Sequence, residues 1–236
     1  MCFLSFSQYA YGSTIWIDKL LKKQNAIVKS HKEDWDRQTR KEYKEKGRKK
    51  RVAVMLFALL CNFGILAFLK YIPYAGELGL LLPLGISFYT FQSMGYVMDV
   101  YREIVEPEKN FFKVALFVSF FPQIIQGPIA IYDKLAGQLY EGHSLRLENL
   151  QKGALLVLWG VMKKLVIADR AVNIINFVMD KPMDFSGTYV FFAAVVYALQ
   201  LYADFSGGID IVRGIAEMFG ITMSTNFNHP YFSRSL

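Results

Sequence analysis

Tyr197, Gln200 and Asp204 fall at i, i+3 and i+7 in an otherwise apolar run, and that spacing puts a phenol, an amide and a carboxylate on one face of a helix. A carboxylate in such surroundings costs about 3 kcal/mol on membrane-insertion scales, so Asp204 either lines a polar cavity or caps a helix end. Gly207 and Gly208 follow at once, and their missing side chains permit a sharp bend or a close approach by another helix. Asp210, Arg213 and Glu217 repeat the i, i+3, i+7 spacing with alternating charge, which reads as an ion-pair ladder that helps helices pack rather than as reactive chemistry. Lys163 and Lys164 interrupt an apolar run, and with Asp169 and Arg170 they read as long-stemmed anchors reaching for a membrane surface.

A second polar group stands in Phe111 to Ile131. There Gln123 and Gln126 sit among Pro122, Gly127 and Pro128. Each proline removes a backbone donor, and an interrupted helix survives in lipid only against protein or a wet cavity. The segment is thus either a proline-kinked helix packed on its neighbours or a re-entrant piece lining a passage. The three histidines, His31, His143 and His229, stand at no metal-ligand spacing with each other or with cysteine or paired carboxylates, so no metal site is expected. A G-x-S-x-G nucleophile elbow and a phosphate-binding Walker loop are both missing. By themselves these residues imply a polar passage among apolar helices and no particular reaction.

The elements that must hold them are membrane helices. Apolar residues make up 53% of the chain and charged residues 20%, and the apolar ones come in runs of about the 20 residues that span a bilayer as helix. Five runs qualify: Val52 to Ile72, Leu78 to Met98, Phe112 to Ile131, Leu150 to Ala168 and Thr188 to Ala203. Ile209 to Ile221 is shorter and charged, suited to an interface or a cavity wall. The expected fold class is therefore all-α, a polytopic transmembrane helical protein. Fourteen of the 27 Lys/Arg lie between Asp18 and Arg51 against six Asp/Glu, leaving thirteen against fourteen elsewhere. The whole basic excess thus precedes the first clear span, which places residues 18–51 in the cytoplasm and gives them an attraction for anionic lipid headgroups. A lone basic loop beside a span argues against nucleic acid as a partner. Residues 1–17 read as a partial membrane helix, 18–51 as a helical basic connection and 52–236 as the main membrane region. Cys2 and Cys61 fit no redox or metal spacing.

Five segments carry a family resemblance: LPLGISFYTFQSMGYVMDVYR from Leu82, SFFPQIIQGPI from Ser119, GVMKKLVIADR from Gly160, YALQLYADFSGG from Tyr197 and MFGITMSTNFNHPY from Met218. In that order they resemble the signatures of the membrane-bound O-acyltransferase family, in its bacterial alginate O-acetyltransferase branch. The resemblance implies a partial ring of helices with a broken or re-entrant segment. It also implies a substrate passage walled by Gln123, Gln126, Tyr197, Gln200, Asp204, Ser206, Asn226 and Asn228. The implied donor is an acyl thioester, acetyl-CoA or an acyl carrier, with no resident cofactor. The implied acceptor is an exported polysaccharide or cell-envelope molecule, handled with partner acyltransferases of the envelope at the lipid bilayer. The chain departs from the pattern at Ile131, where the family commonly has arginine. The family's catalytic histidine belongs to an FWRRWH-type stretch, which is expected beyond Leu236 and not in this chain; His229 is not its counterpart. The rival expectation is a non-catalytic membrane fragment or subunit that needs a separate carboxy-terminal half. A transporter would show internal repeats, and none is visible.

Overall fold

The computed structural model describes residues 2–31, 35–71, 85–127, 131–225, 227 and 231. Among them every regular element is helical. The chain divides into two compact units, Met1–Ile124 with Ile129–Tyr140, and Ile125–Pro128 with Glu141–Leu236.

In the first unit α1 (Cys2–Ser30) and α2 (Arg37–Tyr71) form a helical hairpin. Neither the 17–18 border nor the 51–52 border interrupts a helix. Charge changes there while the backbone does not, because Lys, Glu, Gln and Arg propagate a helix as readily as Leu and Met. The hairpin is pinned by Gln24, whose Nε2 donates to the carbonyls of Tyr43 at 3.2 Å and Lys44 at 2.9 Å. Gly47 makes the approach possible, since a methyl group there would overlap the Gln24 amide. At the tip His31 stacks on Trp35, with ring centroids 4.9 Å apart.

α1 also packs on α3 (Ile86–Tyr101) and α4 (Phe111–Val118). The core between them holds Phe6, Ala10, Ile17, Val97, Val114 and Phe117. Tyr132, which opens α6 (Tyr132–Tyr140), closes that core with its ring 4.5 Å from Tyr96 and 4.8 Å from Phe117. Just past the end of α3, Glu103 takes φ 62°, a left-handed conformation that side chains resist, and Arg51 pairs with it at 2.6 Å.

The proline-rich segment is broken rather than kinked. α4 stops at Val118, and α5 (Phe121–Gln126) starts afresh with Pro122 in its first turn, where a missing N–H breaks no helical hydrogen bond. Pro128 lies outside the described residues.

The second unit is built on two long helical stretches. α7 (Leu147–Met162) passes without interruption into a π-helical segment, Lys163–Ala168, and then into α8 (Asp169–Met179). After a 3₁₀ turn at Pro182–Asp184 the chain returns as α9 (Gly187–Met218), 32 residues long. The fifth apolar run and the charged Ile209–Ile221 segment are therefore mostly one helix. Gly207 and Gly208 do not bend it; they serve close approach. Gly160 lies against Gly207 and Gly153 against Gly214, so α7 and α9 run antiparallel with contacts seven positions apart on each helix. A Cβ on Gly153 or Gly160 would stand 2.5 Å from the facing glycine's carbonyl oxygen. α9 ends in a Schellman motif: Ile221 N–H donates to Ala216 O and Gly220 N–H to Glu217 O, with Gly220 at φ 77°.

Two described helices, α2 and α9, are long and apolar enough to cross a membrane. The fourth run lies in α7 and the π segment, the third is interrupted at Ser119–Phe120, and part of the second falls in residues 72–84, which are not described.

Gly160→Ala is expected to destabilise the protein by about 1–3 kcal/mol, because a backbone oxygen cannot swing aside as a side-chain end can. Gly64→Ala on α2, where a Cβ meets nothing within 4 Å, should be neutral or up to ~1 kcal/mol stabilising through helix propensity. Thermal unfolding of the detergent-solubilised chain, followed by circular dichroism, separates the two.

Candidate functional site: a lysine–carboxylate face on α9

The glycine contacts decide which polar groups meet. Where Gly207 touches Gly160, the backbone of the π segment lies directly over α9, and a Cβ on Gly207 would come within 3.2 Å of Lys163 Cβ and 3.3 Å of Lys164 N. Lys163 and Lys164 therefore straddle Gly207. One reaches three residues forward along α9 and the other three residues back. Lys163 Nζ lies 2.7 Å from Asp210 Oδ2, and Lys164 Nζ lies 2.5 Å from Asp204 Oδ1. A single π segment amid α-helix is a recurrent device at functional sites, and here it carries both lysines.

The two pairs are not equivalent. Lys163 and Asp210 are only 15% and 13% exposed, whereas Lys164 and Asp204 are 42% and 35% exposed. Asp210 also receives Arg213 Nη1 at 3.3 Å, and the Lys163 ammonium lies 5.6 Å from the Trp159 ring centroid and 5.9 Å from that of Tyr202. The inner cluster is a cation–carboxylate–cation arrangement flanked by aromatic faces, suited to fixing two helices. The outer pair keeps an open side.

This arrangement revises two expectations. Lys163 and Lys164 are ion-pair partners of α9 carboxylates rather than simple surface anchors, because the glycine contact brings those carboxylates within reach. Asp204 lies in the interior of α9, so it caps no helix. The expected Asp210–Arg213–Glu217 ladder is half formed: Asp210 pairs with Arg213, while Glu217 accepts from Thr222 Oγ1 at 3.3 Å.

The other predicted residues fall as follows. Tyr197 is 52% exposed, and Gln200 is half-buried one turn from Asp204. Ser206 is 3% exposed, and its hydroxyl has no hydrogen-bond partner among the described residues. Gln126 lays its amide against Gly208, which has no side chain to obstruct it. Gln123, three residues earlier, belongs to the first unit, where it is buried and accepts from Gln92 Nε2 at 3.3 Å. Ser93 donates to Asn62 Oδ1 and Asn62 to Ala58 O in the same buried region. Asn226 and Asn228 lie outside the described residues.

Spacing does not mark Tyr202, yet it is a hub. Its ring meets Phe227 at 5.6 Å and Tyr231 at 5.8 Å, and Tyr231 donates its hydroxyl to Ala198 O at 2.7 Å, which folds residues 227 and 231 back along α9. Elsewhere, in the first unit, Tyr132 and Tyr140 share a hydrogen bond of 3.3 Å, and Tyr140 donates to Lys113 O. Burial pushes the Tyr140 phenol up to about 12 and raises that of Tyr132 as well, so both remain protonated at neutral pH. Among the described residues no group of three or more His, Cys, Asp or Glu converges as a metal site would require.

Regular structure that is helical throughout the described residues, with charged groups paired between apolar helices, defines an all-α membrane protein. Its relatives define the rest. It is 32% identical over 215 residues to the peptidoglycan O-acetyltransferase of Helicobacter pylori, covering 75% of this chain and 41% of that protein. It is 36% identical over 158 residues to the probable alginate O-acetylase of Pseudomonas syringae, covering 66% of this chain and 30% of that protein. The teichoic acid D-alanyltransferase of Bacillus subtilis is 25% identical over 159 residues, covering 65% of this chain and 39% of that protein. No family model matches the chain. The chain belongs to the membrane-bound O-acyltransferase family, in the branch resembling the alginate O-acetylases. It spans roughly a third to two-fifths of the length of these relatives.

Neutral substitutions should rank by burial and by the charge they strand. Asp210→Asn leaves two cations unpaired and should cost the most, up to about 3 kcal/mol for a largely buried pair. Lys163→Met should cost less, since Arg213 still neutralises Asp210. Lys164→Met should cost under ~1 kcal/mol, as exposed pairs do. Unfolding in mixed detergent micelles gives the order directly.

Proposed function

We propose that this chain forms part of a membrane O-acyltransferase that moves an acetyl group from a cytoplasmic acyl thioester, acetyl-CoA or an acyl carrier, to a hydroxyl of an exported polysaccharide or another cell-envelope acceptor. The observation that carries the reading is the open half of the α9 face. Tyr197, Gln200 and Asp204 are not consumed by packing, and Asp204 is held in place by Lys164 across the glycine contact. The names of the relatives support acetyl as the group and an envelope glycan as the acceptor.

The reaction joins the acceptor oxygen to the thioester carbonyl carbon, expels the thiolate and requires a base to take the hydroxyl proton. In this reading the base is the family's histidine, outside residues 1–236. The present residues line and orient. Ser206 and Gln126 offer hydrogen-bonding groups next to the close-packed backbone of Gly207 and Gly208, and the Lys164–Asp204 pair fixes charge at the open face. The apolar flanks keep bulk water from hydrolysing the thioester. The arrangement is multi-pass, with residues 18–51 on the cytoplasmic side and envelope acyltransferases as partners.

The test is base-released acetate from envelope glycan in source cells producing the protein as the genome encodes it. Deleting the gene should abolish the ester, and Asp204→Asn should lower it at least about tenfold at unchanged protein abundance, the scale of losing one positioned polar group. Ester levels unaffected by deletion would overturn the proposal.

A further inference from the structure

The α1–α2 hairpin carries features that acyl transfer does not use. Two grooves run beside the Gln24–Gly47 crossing, and they differ in charge. The first, about 330 Å³, is lined by Lys41, Lys44, Arg48 and Arg51 but also by Glu45 and Glu103, and Arg51 is already paired with Glu103. The second, about 510 Å³, is lined by Lys23 of α1 and Lys46, Lys49 and Lys50 of α2, with Leu20 and Tyr43, and no carboxylate among the described residues lines it. None of these four lysines has an ion-pair partner among the described residues.

Position and chemistry restrict the ligand. Lys46, Lys49 and Lys50 share one helix face at i, i+3 and i+4, and Lys23 faces them from α1. On a helix rising 1.5 Å per residue, Lys50 and Lys46 lie about 3 and 9 Å before Val52, where the apolar run of α2 begins. That is headgroup depth for a membrane in which the apolar half of α2 is embedded. Leucine, tyrosine and lysine stems supply apolar wall, as the upper part of a lipid's acyl chains needs. Gln24 adds a second constraint. Its Nε2 is committed to two α2 carbonyls, so its Oε1, buried where Gln24 lines both grooves, is an acceptor with no donor among the described residues. The ligand that satisfies both features has a phosphate for the lysines and a hydroxyl for Gln24.

We propose that this groove is a binding site for an anionic phospholipid with a hydroxyl-bearing headgroup, of the phosphatidylglycerol class. The site belongs to the first unit and does not depend on the acyl-transfer reading. Its occupancy ties the hairpin to the membrane surface and clamps α1 against α2.

The test uses the full chain in neutral detergent, with thermal unfolding followed as phosphatidylglycerol, phosphatidylcholine or soluble glycerol phosphate is added at equal phosphate. Phosphatidylglycerol alone is expected to raise the midpoint. Replacing Lys46, Lys49 and Lys50 together by Gln should weaken its apparent affinity roughly a hundredfold, at a factor of about five per lysine near an anionic surface. The same positions replaced by Arg should retain it. Replacing three cations outside the groove, Lys19, Lys29 and Arg37, by Gln should change it little. Equal loss in the two Gln triples would mean diffuse charge attraction and overturn the site. An equal response to glycerol phosphate would mean a soluble anion site and overturn the lipid assignment, and no response to phosphatidylglycerol would overturn both.

Discussion

Between α7 and α9 two pairs of glycines touch backbone to backbone, and no side chain fits between them. In lipid there is little hydrophobic force to bring helices together, so close van der Waals contact and interhelical polar bonds must do it. The glycines supply the first and thereby place the second. With a residue as small as alanine at Gly160 the π segment would stand off from α9. The lysines would then no longer straddle Gly207, Asp204 would lose its counter-charge, and Asp210 would keep only Arg213.

That dependence explains why five charges can stand on helices otherwise made of Leu, Val, Phe and Ala. Each would cost about 3 kcal/mol alone in the middle of a membrane helix. Pairing removes most of that cost where burial is deepest, at Lys163, Asp210 and Arg213, and less is needed where Lys164 and Asp204 are partly exposed. The division of labour follows from exposure. The inner cluster holds the helices in register, and the outer pair presents groups to whatever enters the open side.

Much of this was legible in the residues. The i, i+3, i+7 stripes located the polar face of α9, and the five motif segments located the family. Other parts were not legible because they depend on a partner element. Gly207 and Gly208 allowed a bend or a contact, and only the matching seven-residue spacing of Gly153 and Gly160 selects contact; that coincidence of spacings was the available signal. Lys163 and Lys164 read as surface anchors because periodicity within one helix says nothing about a carboxylate on another. Tyr202 carries no mark of its own as an aromatic among aromatics, and its role depends on Phe227 and Tyr231 returning along α9. Gln123 and Gln126 seemed one polar group in sequence, but α5 crosses the division between units, and they meet different neighbours.

A double-mutant cycle shows whether the glycine contact sets Lys163 against Asp210. Lys163→Met, Asp210→Asn and the double variant are unfolded in micelles, in the native background and again with Gly160→Ala. The structure predicts a coupling energy of about 1–3 kcal/mol that collapses when Gly160 is replaced. Additivity within about 0.5 kcal/mol in the native background, or the same coupling in both backgrounds, would contradict it.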